Sequence, residues 1–266
     1  MLRRGRDLFQ EMLKQVQHDV DLYMNICLFS SDEIKSPLPL RDERAQHIIK
    51  VLHKKPGDEF TAGIIGGESG MARITAIDDS GISFDFTAGG DGKPLTKLEM
   101  IIGFPRPIQL KRLLRDIAAL GVGRVHLTGT DLGEKSYMQS NLVERGSAYQ
   151  MLLDGTVQAG STHVPELCLY KTLDQCLQAV GNKGLLLALD NVNPSARLAD
   201  AVKSSGLDKS SPVIAAIGSE RGWTDRERRL LEEQGFVRCG MGERIMRTET
   251  AATVAGSIIL SEMEII

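Results

Sequence analysis

The feature that most constrains the fold of this chain is a change of rhythm across the glycine-rich stretch at residues 88–94. Before it, short apolar runs are separated by turn signals. Residues 26–29, 58–65, 71–77 and 81–86 read as strands, with Gly66-Gly67 and residues 78–81 as hairpin loops. One helix is expected over 41–53, where Ala45, Ile48, Ile49 and Leu52 recur at helical spacing. After it, strands at 98–103, 125–127, 184–189 and 212–217 alternate with helices at 107–120 and 141–158. Leu110, Leu113, Leu114 and Ile117 mark the apolar face of the first of these helices. Such alternation argues for a largely parallel sheet, because parallel neighbours need long crossover connections. The expected fold class is α/β. A small β-rich domain spans 24–93, a polar linker lies at 88–94, and a larger domain spans 94–266.

A chain of 266 residues can bury two cores of this size. Its formal net charge of -3 gives no global attraction for nucleic acid, so an RNA surface has to come from local clusters. One cluster is Arg41, Arg44, Lys50, Lys54 and Lys55, with His47 and His53 interleaved; the other is Arg106, Lys111, Arg112 and Arg115. Trp223 and Tyr137 are candidates for stacking on exposed bases. The cysteines Cys27, Cys168, Cys176 and Cys239 form no C-x-x-C pair, which gives no support to a zinc site or a redox dithiol. Buried thiols in a reducing cytoplasm are expected, without a metal. No apolar run approaches the roughly 18 residues of a membrane span. Residues 1–23 are amphipathic and charged and lack the apolar core of a secretory signal. They read as an extension ahead of Met24 that carries no chemistry.

The chemistry concentrates near the end of the chain. The apolar strand at 212–217 runs into Gly218-Ser219-Glu220-Arg221-Gly222-Trp223. Thr224 and Glu227 then have capping-box spacing, which predicts a helix over 225–234 with Gly235 as its stop. Open α/β sheets bind ligands at such strand-to-helix loops, and glycines there let the backbone come close. A second short strand at 236–241 ends in Gly242, followed by Glu243-Arg244-Ile245-Met246-Arg247-Thr248-Glu249. Thr248 is expected to cap a final helix reaching about residue 263, with Arg244 and Arg247 adding donors at its start. Either loop alone is as readily structural. The two together point to a ligand site.

The segments IGSERGWTDRE and MGERIMRTETAATVAG resemble the paired signature of the SPOUT class, the trefoil-knotted methyltransferases. More specifically they are similar to the 16S ribosomal RNA uracil-N3 methyltransferase family, whose pattern reads approximately IGPEGG…E and LGxRILRTETA. Residues 47–53 also resemble that family's HhxRVLR helix. The resemblance implies a C-terminal knotted SPOUT methyltransferase domain, one of the rare exceptions to unknotted topology, after a small PUA-like β-barrel that binds RNA. It implies methyl transfer from S-adenosyl-L-methionine to N3 of a uridine in small-subunit (16S) rRNA. The enzyme would be a cytoplasmic homodimer, pairing through helix 107–120 and the last helix, with no metal and no membrane.

The cofactor would be held by three loops, with Leu189, Ile217, Gly218, Glu220, Gly222, Met241 and Gly242 around it and Ile245 and Met246 walling the adenine. Arg247 is the first choice for stabilising charge on the uracil and Arg244 the second, while Glu249 would orient an arginine or accept a proton. RNA contacts would fall to Arg41, Arg44, Lys50, Lys54, Arg106 and Lys111.

The chain departs from the family pattern at several places. Ser219 and Arg221 stand for its Pro and second Gly, Lys50 and His53 for two arginines, and Asp116 for a lysine. The family's EQxxR stretch has lost its Glu and Arg at 157–161. Two further readings follow from these changes: methylation at another RNA position, or RNA binding by the same fold without turnover.

Overall fold

The computed structural model describes residues 25–138 and 146–266. The expected extension at 1–23, Met24 and the first part of the helix expected over 141–158 lie outside the described residues. The chain divides into two compact units: one runs to Lys93 and takes in Gly160–Thr162, and the other comprises Pro94–Ala159 and His163–Ile266.

The first unit is a four-stranded sheet of β1 (Cys27–Phe29), β2 (Glu59–Ile64), β3 (Ser69–Asp78) and β4 (Gly81–Gly90), in that order. β1 is parallel to β2, and the other pairs are antiparallel. β4 continues to Gly90, with Gly70 opposite Ala88 and Ser69 opposite Gly90, so the strand takes the first part of the expected linker. The single helix expected over 41–53 is divided. An α-helical turn, α1 (Glu43–Gln46), passes into a π-helical turn over His47–Val51. His47 and Ile48 are buried in this turn. Phe29, Ile48, Phe60, Ile74 and Ile82 form the core.

Arg44 does not face a ligand. Its guanidinium donates to Leu28 O at 2.6 Å, pairs with Asp42 and Glu33 at 2.8 and 2.9 Å, and lies 4.8 Å from the Phe29 ring centre. Local carboxylates and a carbonyl have claimed its donors, and they hold its pKa above the ordinary arginine value.

The second unit is a seven-stranded, wholly parallel sheet. In chain order its elements are β5 (Leu98–Gly103), α2 (Pro107–Ala119), β6 (Arg124–Thr128), α3 (Lys135–Met138), α4 (Ser147–Gln158), β7 (Glu166–Tyr170) and α5 (Leu173–Val180). There follow β8 (Leu185–Leu189), β9 (Ala196–Arg197), α6 (Leu198–Ser204), β10 (Val213–Ile217), α7 (Asp225–Glu233), β11 (Val237–Gly240) and α8 (Thr248–Glu262). The strand order is β7-β6-β5-β10-β8-β11-β9.

Both faces of the sheet are covered, which is why β10 is buried at every residue and reads as an unbroken apolar run. Leu187, Leu189, Val213, Ala215 and Ile217 join α2, α4, α6 and α8 in one core. Leu186, Ala188, Ile214 and Ala216 join α5, α7, Trp223 and Phe236 in another. Each fully buried Leu or Ile contributes about 1.5–3 kcal/mol, so the central strands are firm anchors for the loops that leave them. Cys27, Cys176 and Cys239 are buried, Cys168 is half-buried, and none is in a disulfide.

The last helix begins differently from expectation. Arg247, not Thr248, is the N-cap, and its side chain makes no capping bond. The Thr248 hydroxyl donates instead to Gly218 O at 3.4 Å, across to the other signature loop.

Candidate active site

The adjacent strands β10, β8 and β11 end together, and the loops that follow them line a cavity of about 500 Å3. The loop after β10 is fixed on several sides. Gly222 sits at φ 70°, where a side chain would be strained, and its N–H closes a turn on Ser219 O at 2.9 Å. At the end of β5, a Cβ on Gly103 would lie 2.5 Å from Ser219 N, so only glycine admits this approach. Ser219 is buried, with its hydroxyl oxygen accepting from Thr130 at 3.0 Å. The Glu220 carboxylate accepts the Arg106 N–H at 2.9 Å, just ahead of the first turn of α2.

Trp223 is not the exposed stacking platform considered from the sequence. It is 2% exposed and donates its indole N–H to Leu189 O at 3.0 Å, tying this loop to the end of β8. The expected capping box is formed by Thr224 and Glu227. Glu227 is fully buried: one oxygen accepts Thr224 N–H and the other accepts Asp131 N–H, both at 2.8 Å.

The loop after β8 is organised by Asp190, whose side chain is 1% exposed. It accepts Val192 N–H at 3.1 Å and pairs with Arg228 at 2.7 Å and Arg238 at 3.5 Å. A buried carboxylate is tolerated only when paired, and these partners come from α7 and β11. The bond from Asp190 chiefly raises the Arg228 pKa above its ordinary value. Asp190 therefore ties the exit of β8 to α7 and β11.

The segment after β11 is open. Ile245 is 83% exposed, and Arg221, Arg244 and Arg247 are exposed at the cavity with no ion pair among the described residues.

Of the residues selected from sequence, Leu189, Ile217, Gly218, Glu220 and Gly222 line this cavity, as do Met241, Gly242, Arg244, Ile245, Met246 and Arg247. Glu249 does not. It is buried in the first turn of α8, with Oε2 lacking a hydrogen-bond partner. Arg106 and Lys111 are exposed in the second unit, while Arg41 and Lys50 are exposed and Lys54 half-buried in the first. Tyr137 is half-buried against the second unit's core. Sequence reasoning missed Asp190, Arg228 and Thr130. An acidic residue directly after a buried strand is the signal that would have found the first. Among the described residues there is no group of three or more His, Cys, Asp or Glu that could hold a metal, and no helix long and apolar enough to cross a membrane.

The chain is similar to known proteins. The RNA methyltransferase domain family matches residues 92–260, and the RNA methyltransferase PUA domain family matches residues 40–87. The chain belongs to the RNA methyltransferase family. A relative from Treponema pallidum, named ribosomal RNA small subunit methyltransferase E, is 38% identical over 247 residues, covering 90% of this chain and 91% of its own. One from Borreliella burgdorferi, named ribosomal RNA small subunit methyltransferase E 1, is 30% identical, covering 89% of this chain and 97% of its own.

Among solved structures, a ribosomal RNA small subunit methyltransferase E from Neisseria gonorrhoeae bound to S-adenosyl methionine has a TM-score of 0.73 at 20% identity. That match covers 90% of this chain and 98% of that one. A Legionella pneumophila methyltransferase solved with its cofactor SAM has a TM-score of 0.70 at 21% identity, with the same coverage. These likenesses concern the fold. The expectation of a SPOUT-class α/β domain after a PUA-like domain is borne out.

Proposed function

We propose that this protein transfers a methyl group from S-adenosylmethionine to N3 of a uridine in small-subunit ribosomal RNA, in the cytoplasm and as a homodimer. The observation that carries the reading is the cavity that gathers both signature loops, with Arg244 and Arg247 at it and without an ion pair among the described residues. The residues present suit the cofactor. Leu189, Ile217, Met241 and Met246 supply apolar surface for an adenine, Gly218, Gly222 and Gly242 bare the backbone, and about 500 Å3 is the size of a small-molecule site. Bound there, S-adenosylmethionine supplies an electrophilic methyl group.

The chain's own residues supply charge and position. N3 of uracil must lose its imide proton, which passes to water, and negative charge then spreads onto O2 and O4. A cation held near those oxygens favours that charge, and an unpaired guanidinium is not already neutralised by a carboxylate. Arg247 takes this role, with Arg244 beside it. Glu249, buried in the first turn of α8 and outside the cavity lining, is given no part in this step. The first unit binds RNA through Arg41, Lys50 and Lys54, and the second through Arg106 and Lys111. Arg44 is left out of this surface.

Reverse transcription tests the proposal, because a methyl group on N3 blocks base pairing. Purified protein, S-adenosylmethionine and small subunits from a strain lacking the relative should give one new stop at a uridine. A stop at another base, or none, refutes it.

A further inference from the structure

A second cavity, of about 330 Å3, lies at the carboxyl ends of β5, β6 and β7. It belongs to the same unit as the first and is bonded to the same glycine loop. Thr130, in its wall, donates to Ser219 Oγ at 3.0 Å, and Asp131, also in its wall, donates its N–H to Glu227 at 2.8 Å. Strand carboxyl ends are where this architecture presents ligand sites.

The lining is mixed. Met138 gives half-buried apolar surface backed by the buried Phe104 and Leu173, and Thr130 and Thr172 give hydroxyls. Arg226 is already committed, bonding Asp131 at 2.8 Å and Asp174 at 3.2 Å. Lys135 and Lys171 are exposed, and neither pairs with a carboxylate among the described residues. Glu134 is the remaining acid in the wall, accepting from the Ser136 hydroxyl at 3.4 Å.

Each part of this lining excludes a simpler occupant. An inorganic anion gains nothing from the apolar surface. A purely apolar ligand leaves two lysines without purpose. A ribonucleotide uses every part: its base covers apolar surface, its 2′-hydroxyl and base N–H groups find acceptors, and its phosphates meet the lysines.

We propose that this cavity seats a ribonucleotide of the substrate RNA adjoining the one methylated, with Lys135 and Lys171 on its flanking phosphates. The inference rests on the rRNA methyltransferase function proposed above. Both lysines are exposed, so a Lys135→Ala/Lys171→Ala variant keeps the fold. Its binding to a fluorescein-labelled oligouridylate is measured by anisotropy across a potassium chloride series, beside a Lys203→Ala/Lys209→Ala control.

Affinity should fall on the order of tenfold at low salt, and the salt slope should shrink by about 0.7 for each phosphate that no longer meets a lysine. The KM for small subunits should rise, while kcat at saturation and the calorimetric affinity for S-adenosylmethionine hold. An unchanged slope and KM, or an equal loss in the control, overturns the proposal. A wild-type protein that shows the lysine-dependent slope yet places no methyl on small-subunit RNA overturns the function proposed above while upholding the cavity as an RNA seat.

Discussion

The two signature loops of the cavity are built on opposite principles. The loop from Gly218 to Thr224 lies close against β5's end and is bonded to the N-cap of α2, β8's end and the loop after β6, and its tryptophan is in the core. The segment from Met241 to Arg247 is exposed along most of its length, and its arginines have no ion pair among the described residues. Substitutions in the first should therefore cost stability, whereas those in the second should cost function alone. A site of this kind holds one wall rigid and leaves the other to meet its ligands, with Asp190 pinning the strands beneath both.

The sharpest break in this comparison is expected at Arg247. Arg247→Ala should lower the single-turnover methyl-transfer rate by about 10²–10³-fold, the usual loss for a preorganised charge-stabilising donor, with the melting temperature unchanged. Normal turnover would remove Arg247 from the chemistry.

Asp190→Ala should act in the opposite sense, through stability. It takes a buried partner from Arg228 and Arg238, and because Arg228 keeps Asp225 and Arg238 keeps Glu232 the cost should be about 2–3 kcal/mol rather than the larger value for a fully buried pair. Urea unfolding measures it, and a loss under about 0.5 kcal/mol would show that the pair is incidental. Trp223→Phe shrinks a buried ring and deletes its hydrogen bond to Leu189 O, for about 2 kcal/mol in the same assay. Ile245→Ala should be the mildest. At 83% exposure its effect on stability should stay within about 0.5 kcal/mol, while calorimetry should show weaker cofactor binding. A stability loss like that of Trp223 would mean the segment is packed after all.

The sequence made local features visible and distant ones obscure. β8, β10, α2 and the Thr224–Glu227 box were legible because their signals lie within a few residues. β7 was missed because an edge strand carrying Glu166 and half-exposed neighbours lacks a clear alternation. α5 and α6, at 8 and 7 residues, are too short for periodicity to register.

The site residues that escaped notice all depend on partners far along the chain. Asp190 and Arg228 are 38 residues apart, and Thr130 and Ser219 are 89. Arg44 misled for the same reason: its role is set by Leu28 and Glu33, and charge alone suggested a solvent-facing cation. The resemblance located the cavity, but only coordinates could separate side chains that build it from those that face it.

The buried cysteines give the molecule its own set of clocks. Cys27 lies in the first unit's core, Cys239 in the core on one face of the large sheet and Cys176 in the core on the other. Burial pushes the Cys27 and Cys176 thiols up to about 12 and the Cys239 thiol up to about 11, so the thiolate that alkylating reagents attack is scarce in each folded core. Reaction must then wait for the surrounding core to open, and peptide mapping of a timed alkylation would read three opening frequencies from one unaltered protein. Cys239 also lines the cofactor cavity, so its clock alone should slow sharply when that cavity is filled.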